Sequence, residues 1–347
     1  MVNTPFGALD YSALKLKEDL FVSKVPLRVS FLGGGADFQE YFSKSGASFL
    51  SGGIDKYIYT SIKRHGDIFS EKIRLNYSSI ELANKLTEVR NRIVAGTLEH
   101  LSITDRLFVG TVSDIPSGTG LGSSSSFCVG LLGGLFESLG VSRSPAELAS
   151  IANYIEIEVN KNPQGIQDAY PAAFGGLNCF RIRKDGVVLV EPVLMRDEDF
   201  SKLNDSMVLV YTGRSRASAD ILLEQKENTA SQLNFDVLDY LVENVDICID
   251  MLVSDFSVDE FGRFLNKSWE AKKKFAGGIS DSATDLLFKK ILSAGAKGAK
   301  LCGAGGGGFF LCAVEPSEFG AFSTKLSGST IIKVAISKHG VTTKRFD

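Results

Sequence analysis

The chain has 347 residues, enough for about two domains of roughly 100 to 200 residues each and for a buried core that needs no disulfide staples. Hydrophobic residues make up 44% and charged residues 23%, an ordinary globular balance that argues against a disordered chain. Its 38 basic and 41 acidic side chains give a net charge of -3, so no overall positive field draws it to nucleic acid or an anionic membrane, and a small-molecule partner is expected.

The N-terminal stretch MVNTPFGALDYSALKLKEDL lacks a basic start followed by an apolar run, and no segment reaches the roughly 18 apolar residues of a membrane span. A cytoplasmic protein is the expectation. Lys24 to Leu32 is β-rich and runs into glycines, which reads as a strand entering a tight loop. Ser48 to Arg64 and Ile68 to Tyr77 read as two more strands, Ile80 to His100 as a helix, and Arg106 to Val112 as another strand. Ser123 to Leu139, rich in apolar and small residues, suits a buried helix. Ser144, Pro145 and Glu147 form a capping-box start for a helix to about Val159, with Leu148, Ile151, Ile155 and Val159 as its apolar stripe.

Strands over Ala172 to Phe180 and Gly186 to Pro192 then close a first domain, residues 1–195, and the polar stretch Arg196 to Ser206 reads as the boundary. In the second domain, 196–347, the sequence predicts a strand at Met207 to Thr212 and helices within Ala217 to Lys274 and over Ser282 to Ala294. Strands at Gly308 to Val314 and near Ile331 to Ser337 follow. The five cysteines, at 128, 179, 248, 302 and 312, are odd in number, widely spaced and free of any C-x-x-C, which argues for reduced thiols.

Glycine is the one unusual count, 35 residues against roughly 24 at about 7% usage. Three clusters stand out: Gly33 to Gly35, Gly118 with Gly120 and Gly122, and Gly303 with Gly305 to Gly308. The middle one, SDIPSGTGLGSSSS over Ser113 to Ser126, lies between a strand and a helix. Alternating glycines let successive N–H groups converge, and the helix start adds partial positive charge, so a polyphosphate would sit there. No lysine follows Gly122, so it is not a Walker A loop, and the dinucleotide spacing is absent. A plain capped turn needs one serine, whereas four supply hydroxyls that can ligate magnesium beside the phosphates.

The run P-S-G-T-G-L-G-S-S-S resembles the phosphate-binding motif of the GHMP kinases. Pro26 to Phe38, PLRVSFLGGGADF, resembles their N-terminal substrate motif, and Lys300 to Phe310, KLCGAGGGGFF, their C-terminal glycine-rich motif. Within that family Gly33-Gly34-Gly35-Ala36-Asp37 is close to the G-G-G-T-D of the heptose 7-phosphate kinases. Tyr154 to Asn178, Tyr211 to Leu222 and Trp269 to Lys272 are similar to theirs as well. Ala36, Ala169 and Pro171 depart from that pattern and keep fucose or a hexose phosphate open as alternative acceptors.

The resemblance implies an α+β fold, with an N-terminal domain like ribosomal protein S5 domain 2, a ferredoxin-like C-terminal domain and the active site between them. It also implies ATP and Mg2+ as cofactors and a sugar phosphate as substrate, with transfer to the anomeric hydroxyl of a heptose 7-phosphate for surface-polysaccharide synthesis. The sequence leaves room for a homo-oligomer. Asp168 in G-I-Q-D-A-Y is the implied proton acceptor, with capping of a helix that begins there as the plainer reading. Arg28 would stabilise developing charge or hold the attacking oxygen.

Pro116, Ser117, Gly118, Gly120, Leu121, Gly122, Ser123, Ser124 and Ser125 make up the expected nucleotide site. The resemblance implies Ser124 as a metal ligand as well, together with a carboxylate from Glu156 or Glu158, which diverge by about 200° on a helix. Family spacing, 12 residues before Asp168, favours Glu156. Gly34, Gly35, Asp37, Gly305 and Gly306 are the expected acceptor contacts. Arg216 leads the candidates for a substrate phosphate, ahead of Arg214, Lys272 and Lys273. A non-catalytic sensor would be expected to have lost part of the Ser124, Glu156 and Asp168 set, which is intact.

Overall fold

A computed structural model describes residues 10–215 and 219–347. Twelve strands among these residues form two sheets. The first is built on β1 (Leu20–Leu32) and the long β2 (Ala47–Arg64), which pair antiparallel over most of their length. The two ends of β2 have different neighbours. Residues 58–64 pair with β5 (Leu107–Ser113), which is followed by β3 (Ile73–Asn76) and β4 (Ile80–Ala83), while residues 47–52 pair with β6 (Leu177–Ile182), followed by β7 (Val188–Pro192). The second sheet is antiparallel, in the order β11 (Ile331–Lys333), β8 (Met207–Tyr211), β10 (Phe309–Ala313), β9 (Gly298–Leu301). The last strand, β12 (Thr342–Phe346), returns to the outer edge of β1.

Eleven α-helices among the described residues complete the fold: α1 (Gln39–Ser45), α2 (Arg92–His100), α3 (Ser123–Leu139), α4 (Pro145–Asn153), α5 (Ala169–Phe174) and α6 (Asp197–Ser206) in the first part of the chain, then α7 (Ala219–Ala230), α8 (Phe235–Ser254), α9 (Val258–Lys272), α10 (Ser282–Ala294) and α11 (Phe319–Lys325). The helix α3 packs on β1 and β2 and is buried on nearly every side, as its all-round apolar sequence requires. The capping box at the start of α4 forms: the Ser144 hydroxyl accepts from the Glu147 N–H, and the Glu147 carboxylate accepts from the Ser144 N–H at 2.8 Å. None of the described helices is long and apolar enough to cross a membrane, and all five cysteines are free.

Several elements differ from the sequence expectation. The helix expected over Ile80 to His100 divides in two, because Ile80 to Ala83 alternates between exposed and buried positions and sits as a strand beside β3. Asn91 then caps α2 by accepting from the Val94 N–H at 3.2 Å. Ala172 to Phe174 belongs to α5, which ends at the left-handed Gly175, so the strand starts only at Leu177. The stretch read as a boundary is α6, with Asp197, Glu198 and Asp199 in the first turn, where the helix dipole favours negative charge. The helix expected to reach Val159 keeps its α form only to Asn153, and Tyr154–Val159 continues in wider π turns.

The halves meet through specific contacts. Phe31 of β1 packs edge-on against Phe261 of α9, with centroids 5.4 Å apart, and the Tyr41 hydroxyl donates to Asp239 of α8 at 2.6 Å. Trp269 is fully buried against Phe310 of β10. Packing of α9 on β9 is backbone to backbone, since a Cβ on Gly298 would lie 1.8 Å from the carbonyl oxygen of Gly262. Gly298→Ala must therefore push the helix off the strand. Overpacking of this kind costs about 1 to 3 kcal/mol, which should lower the Tm by about 2 to 10 °C in thermal unfolding followed by circular dichroism. An unchanged Tm would show that the contact is looser than it is drawn.

Candidate active site

A cavity of about 230 Å³ opens where the end of β1, the N-terminus of α3, the start of α5 and the β9–β10 loop converge. The wall on the α3 side is the glycine-serine loop. Gly118, Gly120 and Gly122 all have positive φ, at 75°, 82° and 73°, a conformation that costs glycine little. No side chain caps α3, so its first N–H groups are left for a ligand. The third glycine cluster packs directly onto this loop: a Cβ on Gly303 would come within 2.4 Å of the Gly120 Cα. That close approach is to the loop itself.

The expected nucleotide residues divide. Gly118, Gly120, Gly122, Ser123 and Ser124 line the cavity. Pro116, Ser117, Leu121 and Ser125 do not. Pro116 holds the loop by accepting from the Thr119 hydroxyl at 2.8 Å, and Leu121 is a core residue whose carbonyl accepts from the Arg28 N–H at 3.0 Å. Ser117 is exposed, and Ser125 points inward to Glu156.

Arg28 is buried, 3% exposed. Its Nε and Nη2 donate to the two oxygens of Asp168, each at 2.8 Å, and its Nη1 donates to the Gly120 carbonyl at 2.7 Å. Burial opposes the charge on Arg28, but the Asp168 carboxylate beside it more than compensates, so the guanidinium stays cationic. Asp168 stands at the N-cap position of α5, yet its side chain caps nothing. It lines the cavity instead, about one-third exposed.

Of the two glutamates, Glu156 turns inward. It is fully buried in the π-helical segment and accepts from the hydroxyls of Ser124 and Ser125, the latter at 2.5 Å. Burial pushes its carboxyl up to about 7, against the lowering effect of those two hydroxyls. It lies behind Ser124 and meets the cavity through it. Glu158 is partly exposed and pairs with Lys161 at 3.6 Å. Ser124 and Glu156 thus present adjoining hard oxygens, the donor type that magnesium takes.

On the acceptor side, Gly34, Gly35 and Asp37 line the cavity. Asp37 is 6% exposed and ties two segments together, accepting from the Gly35 N–H at 2.9 Å and the Gln167 N–H at 3.0 Å. Burial, then the negative Asp168 nearby, raises its pKa, partly offset by those two N–H groups. Gly305 reaches the cavity, whereas Gly306 faces away and donates to the Ile279 carbonyl at 2.9 Å. Ala36, Ala169 and Pro171 are buried off the cavity wall, so the departures they represent touch no cavity-lining position.

Among the candidate phosphate cations, Arg216 lies outside the described residues. Arg214 pairs with Asp281 at 2.6 Å and Lys273 with Glu270 at 2.8 Å, both off this cavity. Lys272 does line it, buried, donating to the carbonyls of Leu301 at 3.0 Å and of Gly303. Lys300 lines it as well, and sequence reasoning assigns it no role. Its one signal is its place at the head of the third glycine motif.

A glycine-serine loop at an uncapped helix start and an arginine-fixed carboxylate, facing one cavity, fit a phosphotransferase. The comparisons agree. The model for the GHMP kinases N terminal domain matches residues 84–176, and that for GHMP kinases C terminal matches 252–328. A D-glycero-alpha-D-manno-heptose 7-phosphate kinase of Campylobacter jejuni is 30% identical over 312 residues, spanning 85% of this chain and 90% of that protein. A mevalonate kinase of Pyrococcus abyssi is 29% identical over 307 residues, spanning 85% and 86%. The solved structure of a D-glycero-D-manno-heptose 1-phosphate kinase from Bacteriodes thetaiotaomicron aligns with a TM-score of 0.76 at 25% identity, covering 94% of this chain and 99% of that one. The chain belongs to the GHMP kinases and is an ATP-dependent sugar kinase.

Arg28→Lys tests the geometry of the pair. Lysine keeps the charge but cannot span both Asp168 oxygens and the Gly120 carbonyl as the planar fork does. Steady-state kinetics should show kcat falling by at least about 100-fold, the scale for losing a preorganised donor. A variant with unimpaired kcat would reduce the fork to a structural clamp.

Proposed function

We propose that the protein transfers the γ-phosphoryl group of ATP to the anomeric hydroxyl of D-glycero-D-manno-heptose 7-phosphate, in nucleotide-heptose synthesis for a bacterial surface polysaccharide. The observation that carries the chemistry is the Arg28–Asp168 pair, set between the phosphate loop and the rest of the cavity. The choice of sugar is supported by the likeness to the heptose 7-phosphate kinase of Campylobacter jejuni.

The N–H groups between Gly118 and Ser124 would receive the triphosphate, favoured by the start of α3. Ser124 and Glu156 would hold Mg2+, which supplies charge neutralisation on the phosphate oxygens. Asp168 takes the proton of the anomeric hydroxyl as the new O–P bond forms and the bond to ADP breaks. Phosphoryl transfer demands positioning above all, because its transition state is loose. Arg28 gives that positioning: one guanidinium fixes Asp168 against the backbone of the phosphate loop.

Three measurements test the reading. ADP release across a panel of monosaccharides and their terminal phosphates, with NMR of the product, should give the fastest turnover with the heptose 7-phosphate and a new phosphate on the anomeric carbon. Faster turnover of fucose or a hexose phosphate would replace the sugar while leaving the chemistry. Asp168→Asn should bind both substrates and lose at least about 100-fold in kcat; near-normal turnover would remove Asp168 from the proton step. Ser124→Ala and Glu156→Gln should each raise the magnesium concentration for half-maximal rate, because each removes an oxygen donor. Glu158→Gln should raise it far less, and the opposite ranking would reverse the choice of ligand.

A further inference from the structure

Ser30 of β1 and Lys300 of β9 meet at the seam between the two sheets, on a wall of the cavity that the nucleotide loop and Asp168 leave unused. Ser30 lines the cavity at 9% exposure, and its buried hydroxyl has no hydrogen-bond partner. A buried hydroxyl is rarely left in that condition without something to bind. Lys300, 4% exposed, reaches across the seam and donates to the carbonyls of Ser30 at 2.8 Å and Phe31 at 3.3 Å. An ammonium has three donors, and these contacts use two. Lys272 is held in the same way, by two carbonyls. Among the described residues no carboxylate lies within ion-pairing distance of either lysine. The two buried amino groups hydrogen-bond only to neutral carbonyl oxygens, a setting that an anion would complete.

We propose that Lys300, Ser30 and Lys272 form a phosphate-binding subsite, in which two ammonium groups and one hydroxyl take the oxygens of a phosphoryl group. This deepens the kinase reading of the same cavity and rests on it. The phosphoryl group is either the one in transit from ATP or the one the acceptor already carries. Arg28 on β1, Asp37 in the loop after it, Lys272 on α9 and Cys302 beyond β9 are the charged and titratable groups facing Lys300, and Asp168 also faces Lys272. Burial, then the neighbouring Lys272, pushes Lys300 down to about 7; burial, with Arg28 adding to it, pushes Lys272 down to about 8. At pH 8 the free enzyme therefore holds Lys300 largely neutral. An incoming dianion raises its pKa again, so binding draws a proton from solution.

The test is isothermal titration of the full-length enzyme at pH 8, in two buffers of different ionisation enthalpy. Heptose 7-phosphate, a non-hydrolysable ATP analogue and inorganic phosphate are titrated separately into wild type, Lys300→Met, Lys300→Arg and Ser30→Ala. At least one ligand should show a buffer-dependent enthalpy that reports proton uptake. Lys300→Met should abolish that uptake and weaken the same ligand by at least about 10-fold, the Ser30 variant should weaken it by about 5-fold, and Lys300→Arg should retain most of the affinity. Uptake with the heptose phosphate assigns the subsite to the acceptor's own phosphate; uptake with the ATP analogue assigns it to the phosphoryl group in transit. If heptose 7-phosphate fails to bind while inorganic phosphate or the ATP analogue still draws a proton, the sugar assignment falls and the subsite stands. Should Lys300→Met fail to fold, wild-type uptake and the Ser30 variant decide alone. The proposal is overturned if no ligand draws a proton and Ser30→Ala, with unchanged Tm, binds every ligand as the wild type does.

Discussion

The site depends on one buried guanidinium. Arg28 cannot shed its proton and cannot be left unpaired at 3% exposure, so the surrounding structure must supply acceptors in the plane of its fork. It finds them on two elements far apart in sequence, the Gly120 carbonyl before α3 and the Asp168 carboxylate at the start of α5. That one requirement sets the distance between the glycine-serine loop and the Asp168 carboxylate, the proposed proton acceptor. Truncating either partner would expose a buried charge and misplace the other at once.

The rest of the cavity is assembled around this clamp by close backbone contact. The loop after β9 rests on the glycine-serine loop through Gly303 and Gly120, and β9 rests on α9 through Gly298 and Gly262. The second sheet therefore bears directly on a loop belonging to the first. Lys300 completes the join, donating from β9 to the carbonyls at the end of β1. Polar groups at the seam serve both to hold the halves and to line the cavity between them.

Much of this arrangement was legible in the sequence. The three glycine clusters mark places where backbone meets backbone or a ligand, and alternate glycines ahead of a serine run can be read as an anion loop without a structure. The α3 and α10 boundaries and the Ser144 cap came from local signals and stand as read. Glu156 over Glu158 came from family spacing, and the structure turns only Glu156 toward Ser124. Other features depend on tertiary contacts. In the lysine run after Trp269, Lys272 is buried at the cavity while its neighbour Lys273 pairs with Glu270, a difference that composition cannot show. Lys300 sits in a four-residue strand flanked by loops, too short to display a period. The helix α5, Ala-Tyr-Pro-Ala-Ala-Phe, is six residues long and precedes two glycines, so its local signal is weaker than that of the strand it leads into.

The pairing of β12 with β1 has a consequence for how the protein is made. Leu20 lies opposite Phe346, so a strand formed from the earliest described residues is completed by one of the last. During synthesis the outer edge of β1 stays open while some 300 further residues emerge, and an open edge is a template for pairing with other chains. Vectorial synthesis thus delays closure of the first sheet until the second has already been made. The thirteen-residue reach of β1 and its pairing with β2 on the other side leave that edge as the last seam to be sewn.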